Sequence, residues 1–222
     1  MKYSLLLVCL FNFALSADDL IYEEQFKDLS AWHIEQMPRG KVTIKQGKFD
    51  IIDASGMTMF FKKKLTGDIR IEYKVRMIKV GGDRDRVSDC NVFWKISDPR
   101  SPQDIFKFSN ERTGAFPDYH KFKTYYVGFG GHNNTKTRFR RYNGQVNRPL
   151  LAEHDLKKPL IIPNKLYDIS IVCRGNRTVY SIDNQVIYDY TDPKAHEEGW
   201  FAFRTVNNHM SIESFKIFSL KE

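Results

Sequence analysis

Apolar residues recur along this chain with a period of two far more often than with the period of a helix. The clearest stretch runs from Asp68 to Val80, where Ile69, Ile71, Tyr73, Val75 and Met77 share one face and Arg70, Glu72, Lys74 and Arg76 the other. That pattern predicts a strand packed on one side and solvated on the other. Asp28 to Ile34 turns into another, and Leu20 to Phe26, Val42 to Lys45, Lys48 to Ile52, Met57 to Lys62 and Ser88 to Ile96 also read as strands. So do Leu166 to Arg174, Thr178 to Asp183, Gln185 to Tyr190, Gly199 to Val206 and Met210 to Leu220. Gln46-Gly47, Gly175-Asn176 and Asp183-Asn184 supply hairpin turns between them. Arg100 to Lys121 reads as a long polar connection, and Asn147 to Pro163 as irregular chain between prolines. No helix longer than about two turns is predicted, so the expected fold is all-β, an antiparallel β-sandwich.

The densest chemistry lies between Asn110 and Gly144. Thr124 to Gly131 alternates, with Tyr125, Val127 and Phe129 on one face and Tyr126, Gly128 and Gly130 on the other. Glycines weaken a strand interior, so two on one face point to a close approach to the backbone. Gly131-His132-Asn133-Asn134 then reverses the chain with residues that tolerate positive φ. On the return strand Arg138, Arg140 and Tyr142 share a face, opposite Thr137, Phe139 and Arg141. The hairpin therefore presents a glycine floor, aromatic walls and several guanidinium groups, a cradle for an acidic sugar; an ordinary amphipathic hairpin with a solvated basic edge has the same pattern. In Ser88 to Ile96, the polar residues Asp89, Asn91 and Lys95 fall on one face with Phe93. Polar groups in a buried strand need partners or a ligand, which makes Asp89 and Asn91 candidates. The long connection adds Arg112, Tyr119 and His120.

Charge and the N-terminus narrow the partners. Met1 to Ser16 carries one lysine, an apolar run and small residues before Ala17, the pattern of a secretory signal peptide too short to span a membrane. Cleavage near Ser16 would leave residues 17–222 as one exported domain, periplasmic or secreted, and monomeric. The whole chain has 35 basic and 27 acidic residues; without Lys2 there are 34 against 27, net +7. An exported basic protein suits a polyanionic glycan better than a neutral one, and no nucleic-acid-binding motif is present. Of three cysteines, Cys9 lies in the leader, and Cys90 and Cys173 sit in strand-like segments, where a disulfide or two buried thiols are both open.

Near the C-terminus, Tyr167 to Ile171, Tyr180 to Gln185, Glu198 to Arg204 and Ile212 to Ile217 resemble the closing strands of concanavalin A-like jelly rolls, the lectin and glucanase superfamily. Arg112-Thr113-Gly114, Thr124 to Gly131 and Thr137 to Tyr142 resemble an uncharacterised secreted bacterial family within it, typical of glycan-degrading gene clusters. The resemblance implies a jelly-roll sandwich with its sugar site on the concave sheet, under the hairpin. No cofactor is expected; a structural calcium ion would fit, since jelly rolls often carry one, although no acidic calcium loop stands out.

Three activities fit an exported protein of this kind. A glycoside hydrolase needs two facing carboxylates. The Glu-x-Asp-x-x-Glu strand of jelly-roll glucanases is absent; Glu153-His154-Asp155 is the nearest fragment, and Asp89, Asp118 or Glu153 would have to serve. A polysaccharide lyase needs a group to neutralise a uronate carboxylate, a base and an acid. Arg138, Arg140 or Arg112 with Asn133 or Asn134 could neutralise, His120 or His132 take the proton, and Tyr125, Tyr126 or Tyr142 give one. An arginine beside the tyrosine would favour the phenolate. A non-catalytic binding module would stack sugars on Trp94, Tyr126 and Tyr142. The residue set accommodates the lyase most fully, with Tyr126, His120, His132, Arg138 and Arg140 as catalytic candidates and Asp89, Asn91, Trp94, Arg112, Tyr125, Asn133, Asn134 and Tyr142 as substrate-binding ones.

Overall fold

The computed structural model describes residues 18–221, so the leader expected over residues 1–16 lies outside the described residues. Fifteen strands follow one another: β1 (Asp19–Glu23), β2 (Trp32–Gln36), β3 (Lys41–Lys45), β4 (Lys48–Ile52), β5 (Met57–Phe61), β6 (Ile69–Met77), β7 (Cys90–Ser97), β8 (Lys123–Gly130), β9 (Lys136–Asn143), β10 (Leu150–Leu156), β11 (Leu166–Arg174), β12 (Arg177–Ile182), β13 (Gln185–Thr191), β14 (Trp200–Thr205) and β15 (His209–Ser219). They form two antiparallel sheets. One has the order β13-β12-β11-β6-β15-β4-β3, with β1 also on β15, and the other β10-β9-β8-β7-β14-β5-β2.

The sheets pack face to face as the period-two pattern requires. In β6 every second residue from Ile69 to Met77 is buried. Opposite it, Trp32, Met59, Val92, Trp94, Tyr125, Val127, Phe129, Phe139, Phe201 and Phe203 point inward and fill the sandwich. The short hairpins fold as their turn residues dictate: Gln46 and Gly47 join β3 to β4 with φ of 52° and 68°, and Asp183 and Asn184 join β12 to β13 with 50° and 63°, the twist that suits a two-residue loop. Cys90 and Cys173 are buried free thiols rather than a disulfide.

Two segments differ from the expectation. Leu150–Leu156, expected to be irregular, is the edge strand β10, whose register against β9 shifts between Leu150 and Asp155. An edge strand tolerates flanking prolines and irregular pairing, which hides it from a pattern search. Arg100 to Phe122 is not a free polar loop. Its Ile105, Phe106, Phe116, Tyr119 and Phe122 lie on the outer face of the seven-stranded sheet, against Phe60, Phe93, Ile96, Tyr126, Tyr142, Trp200 and Ala202, and make a second hydrophobic core. This cover leaves only part of that outer face open.

Candidate functional site

The open part of that face is a pocket of about 180 Å³ lined by Asp89, Phe116, Tyr126, Gly128, Gly131, His132, Arg138, Arg140 and Arg148. Its floor follows from strand alternation. Asn91 on β7, Tyr126 and Gly128 on β8, and Arg138, Arg140 and Tyr142 on β9 project away from the sandwich core, and Gly128 pairs with Asn91 on one side and Arg138 on the other. A Cβ on Gly128 would stand 3.1 Å from the Tyr126 hydroxyl and 3.4 Å from Asn91 Oδ1, so the missing side chain is what leaves these two groups room. Gly130, expected on the same floor, belongs instead to the turn: its φ is 64° and Ile161 occupies the space beside it. The reversal is a tight turn with His132, Asn133 and Asn134 at φ of 53°, 56° and 60°.

Positive charge dominates the pocket. Arg138 is held by Asp155 through Nε (3.0 Å) and Nη2 (3.1 Å), and its Nη1 meets His132 Nε2 at 2.6 Å. Arg140 donates to the Arg148 carbonyl at 2.8 Å. Arg148 lies 5.5 Å from the centre of the Phe116 ring. Beneath Phe116, the buried Arg204 on β14 donates to Thr58 Oγ1 (2.8 Å) and to the Gly114 carbonyl (2.9 Å). Among the described residues none of Arg140, Arg148 or Arg204 pairs with a carboxylate, and burial works against the charge of Arg140 and Arg204. The one acid lining the pocket, Asp89, is taken by Arg86 at 2.6 Å. Two polar atoms beside the pocket, Asn91 Oδ1 and His120 Nε2, are buried without a protein partner, while the Arg148 guanidinium lies close enough to the buried Tyr142 hydroxyl to offset part of its burial. A buried polar atom left unpaired costs about 1–3 kcal/mol, so the two unpartnered atoms favour a polar ligand or water here.

His120 and Tyr126 have contrasting acid–base character. Burial and the charges of Arg148, Arg204 and Arg140 hold His120 down at about 4, so it is a neutral imidazole at neutral pH. Burial, with Tyr142 and Asp89 nearby, raises Tyr126 well above the usual phenol range despite the pull of Arg204 and Arg140. In this setting desolvation outweighs the pull of the arginines toward the phenolate, so Tyr126 keeps its proton at neutral pH. Tyr142 is likewise pushed up by burial to about 12.

Several residues expected in the site are elsewhere. Trp94 and Tyr125 point into the sandwich. Trp94 stacks on Phe139 at 5.7 Å and donates to Thr178, and Tyr125 donates to Asp192 at 2.7 Å; neither can reach a sugar. Arg112 is buried against Glu35, with Nε and Nη2 at 2.9 and 2.6 Å from it, and Tyr119 donates to the same carboxylate at 2.9 Å. That cluster fastens the cover to β2. Asn134 is bonded through its side-chain amide to the backbone of Ile161, and Asn133 Oδ1 accepts from Arg86. Lys95 leaves the strand alternation at a bulge with φ of 51°, and its Nζ bonds the Gly67 and Glu197 carbonyls. Tyr142 lies under the pocket, fully buried, and offers no stacking face. Conversely, Arg148 and Arg204 went unnoticed in the sequence. Arg204 carried a signal, because it shares the outward parity of Trp200 and Ala202 within an apolar strand; Arg148 sits in a loop that has no periodicity to read.

A larger cavity of about 380 Å³ lies on the outer face of the eight-stranded sheet between Glu72, Lys74, Asp168, Asn184 and Lys216. Its charges neutralise one another, as in Lys74–Asp168 at 3.0 Å, so it is an ordinary solvated face. Among the described residues no three His, Cys, Asp or Glu side chains are grouped to hold a metal ion, and no helix is long and apolar enough to cross a membrane.

The architecture is that of galectin-like and concanavalin A-like sandwiches. A protein of unknown function with a galectin-like fold from Bacillus subtilis superposes with a TM-score of 0.72 at 14% identity, over 90% of this chain and 96% of the other. The carbohydrate-binding module CBM66 from Bacillus subtilis gives 0.57 at 15%, over 85% and 96%. The endo-β-1,3-glucanase of Pyrococcus furiosus gives 0.58 at 10%, over 92% and 95%. At these identities the likeness is one of fold. No curated protein matches the sequence. The family model described as "Domain of unknown function (DUF6250)" matches residues 51–215, most of the chain, and the protein belongs to that family.

Proposed function

We propose that this is an exported carbohydrate-active protein whose pocket takes an acidic sugar, and that it cleaves a uronate-containing glycan by β-elimination. The observation that carries the proposal is the gathering of Arg140, Arg148 and Arg204, none paired with a carboxylate among the described residues, beside a pocket with unpartnered polar atoms. The carbohydrate class draws support from the fold neighbours, one a carbohydrate-binding module and another a glucanase.

The elimination uses groups present here. Arg140 and Arg148 balance the charge that builds on the uronate carboxylate as the adjacent carbon loses its proton. The base is one of two histidines: His120, held neutral by burial and the charges of Arg148, Arg204 and Arg140, packs edge-on against Phe116 beside the pocket, and His132 lines the pocket itself. The C–O bond to the next sugar breaks, a carbon–carbon double bond forms in the uronate ring, and the Tyr126 phenol protonates the departing oxygen. His132 is a poorer base because Arg138 already occupies its Nε2. Hydrolysis fits less well, since it needs two carboxylates and Asp89 is the one that lines the pocket.

Incubation of the purified protein with a panel of uronate polysaccharides tests this. Ultraviolet absorbance from an unsaturated uronate product is the expected result. New reducing ends without that absorbance would mean hydrolysis, and retention of a glycan without new ends would mean a binding module. No interaction with any acidic glycan would overturn the reading.

A further inference from the structure

We infer that the pocket recognises the end of a glycan chain rather than its interior; this rests on the acidic-sugar reading above. An internal site needs a groove open at both ends, and here the outer face of the sheet is blocked in two directions. Along the strands, the cover from Arg100 to Phe122 fills the face with its own core, and Phe116 and Tyr119 are part of that packing. Across the strands, the path beyond β14 is occupied by Arg204, Thr58 and the Gly114 carbonyl, joined by hydrogen bonds of 2.8 and 2.9 Å. Gly114 is pressed onto β2: a Cβ there would stand 2.8 Å from the Glu35 carbonyl oxygen and 2.9 Å from Gln36 Cα and Met37 N. No sugar passes beneath that segment.

The opposite corner is narrowed as well. Arg148, from the segment after β9, reaches over to Phe116 at 5.5 Å. Arg140 is fixed to the Arg148 backbone. The space left is about 180 Å³, below the roughly 300–1,000 Å³ of pockets that enclose a drug-sized ligand. That suits one ring and its charged substituent. The rest of the glycan must leave past Asp89 and His132, at the hairpin-turn end, where His132 is exposed. The innermost ring is therefore a terminal one.

The test counts protein bound per glycan chain by calorimetric titration with uronate oligosaccharides of increasing length and their parent polymer, using the Tyr126→Phe protein where the wild type cleaves. The expected count is one per chain at every length, with affinity levelling off once the terminal sugars are present. A count that grows with chain length overturns end recognition while leaving the acidic-sugar reading intact. Equal binding of carboxyl-reduced oligomers, still counted one per chain, overturns the acidic-sugar reading and leaves end recognition. Binding to no oligomer overturns both. Phe116→Ala, which removes the wall between pocket and cover, should raise the count on the polymer above one while circular dichroism remains that of the wild type; an unchanged count in the folded variant contradicts the role given to the cover.

Discussion

Arg140 meets two conditions that few surface arginines meet together: it is partly desolvated, and among the described residues no carboxylate answers its charge. Removing it should cost the ligand a charge-assisted hydrogen bond, about 1.5–3 kcal/mol, so Arg140→Ala should weaken acidic-glycan binding roughly tenfold to a hundredfold with little change in melting temperature. Tyr126 needs a finer substitution. It packs against Phe93, Phe116 and Tyr142, and Tyr126→Ala should destabilise the fold by about 3–5 kcal/mol, as large aromatic truncations do. Tyr126→Phe keeps the ring, so turnover should collapse while thermal unfolding stays near wild type. His120 has a pH signature. Its folded value of about 4 lies below the ordinary 6.5, so between these values the unfolded chain binds more protons than the folded one. Its contribution to stability is complete above about pH 6.5 and is lost as the pH falls to about 4. A nuclear magnetic resonance titration of the His120 imidazole should show a midpoint near 4, and His120→Gln should flatten part of the acid loss of stability; His196, also near 4, accounts for another part. At this scale the sequence was legible only where side-chain parity was respected. Alternation correctly separates Tyr126 from Tyr125, but counting aromatic density alone draws Trp94 and Tyr125 toward the site when both face the core.

The element that shapes the pocket is the cover, and it is tied down at two points. The first is Arg112 on Glu35, both buried. Breaking a buried pair from one side strands the other charge, at about 3–5 kcal/mol, so Glu35→Gln should lower stability by that order and loosen the cover together with ligand binding. The second is Gly114, whose φ of 96° and backbone contacts leave no space for a methyl group. Gly114→Ala should lift the segment from β2, and hydrogen exchange should accelerate over residues 105–122 while the strands of the sandwich stay protected. The cover was hidden in the sequence because its apolar residues follow no period: Ile105, Phe106, Phe116, Tyr119 and Phe122 are spread among charges and prolines. Hairpins, by contrast, announce themselves through local turn chemistry, as Gln46-Gly47 and Asp183-Asn184 do.

Across the whole molecule, the sandwich class follows from period two, but the sheet order does not. β14 inserts between β7 and β5, and β15 between β6 and β4; such distant pairings depend on how the two inner faces fit, which no local pattern encodes. The net positive charge of the chain acts at long range, and a polyanion should be drawn in by it, less so at high salt. The pocket arginines act at short range, so selectivity for an acidic sugar should survive salt better than the association rate does. The proposed function turns on that selectivity. It is tested most directly by measuring the affinity of the protein for one uronate oligosaccharide and for the same oligosaccharide with its carboxyls reduced to alcohols. The acid form should bind at least about tenfold tighter, a difference of about 1.4 kcal/mol, and Arg140→Ala should remove most of that preference. Equal affinities in the wild-type protein, or a preference that Arg140→Ala leaves untouched, would contradict it.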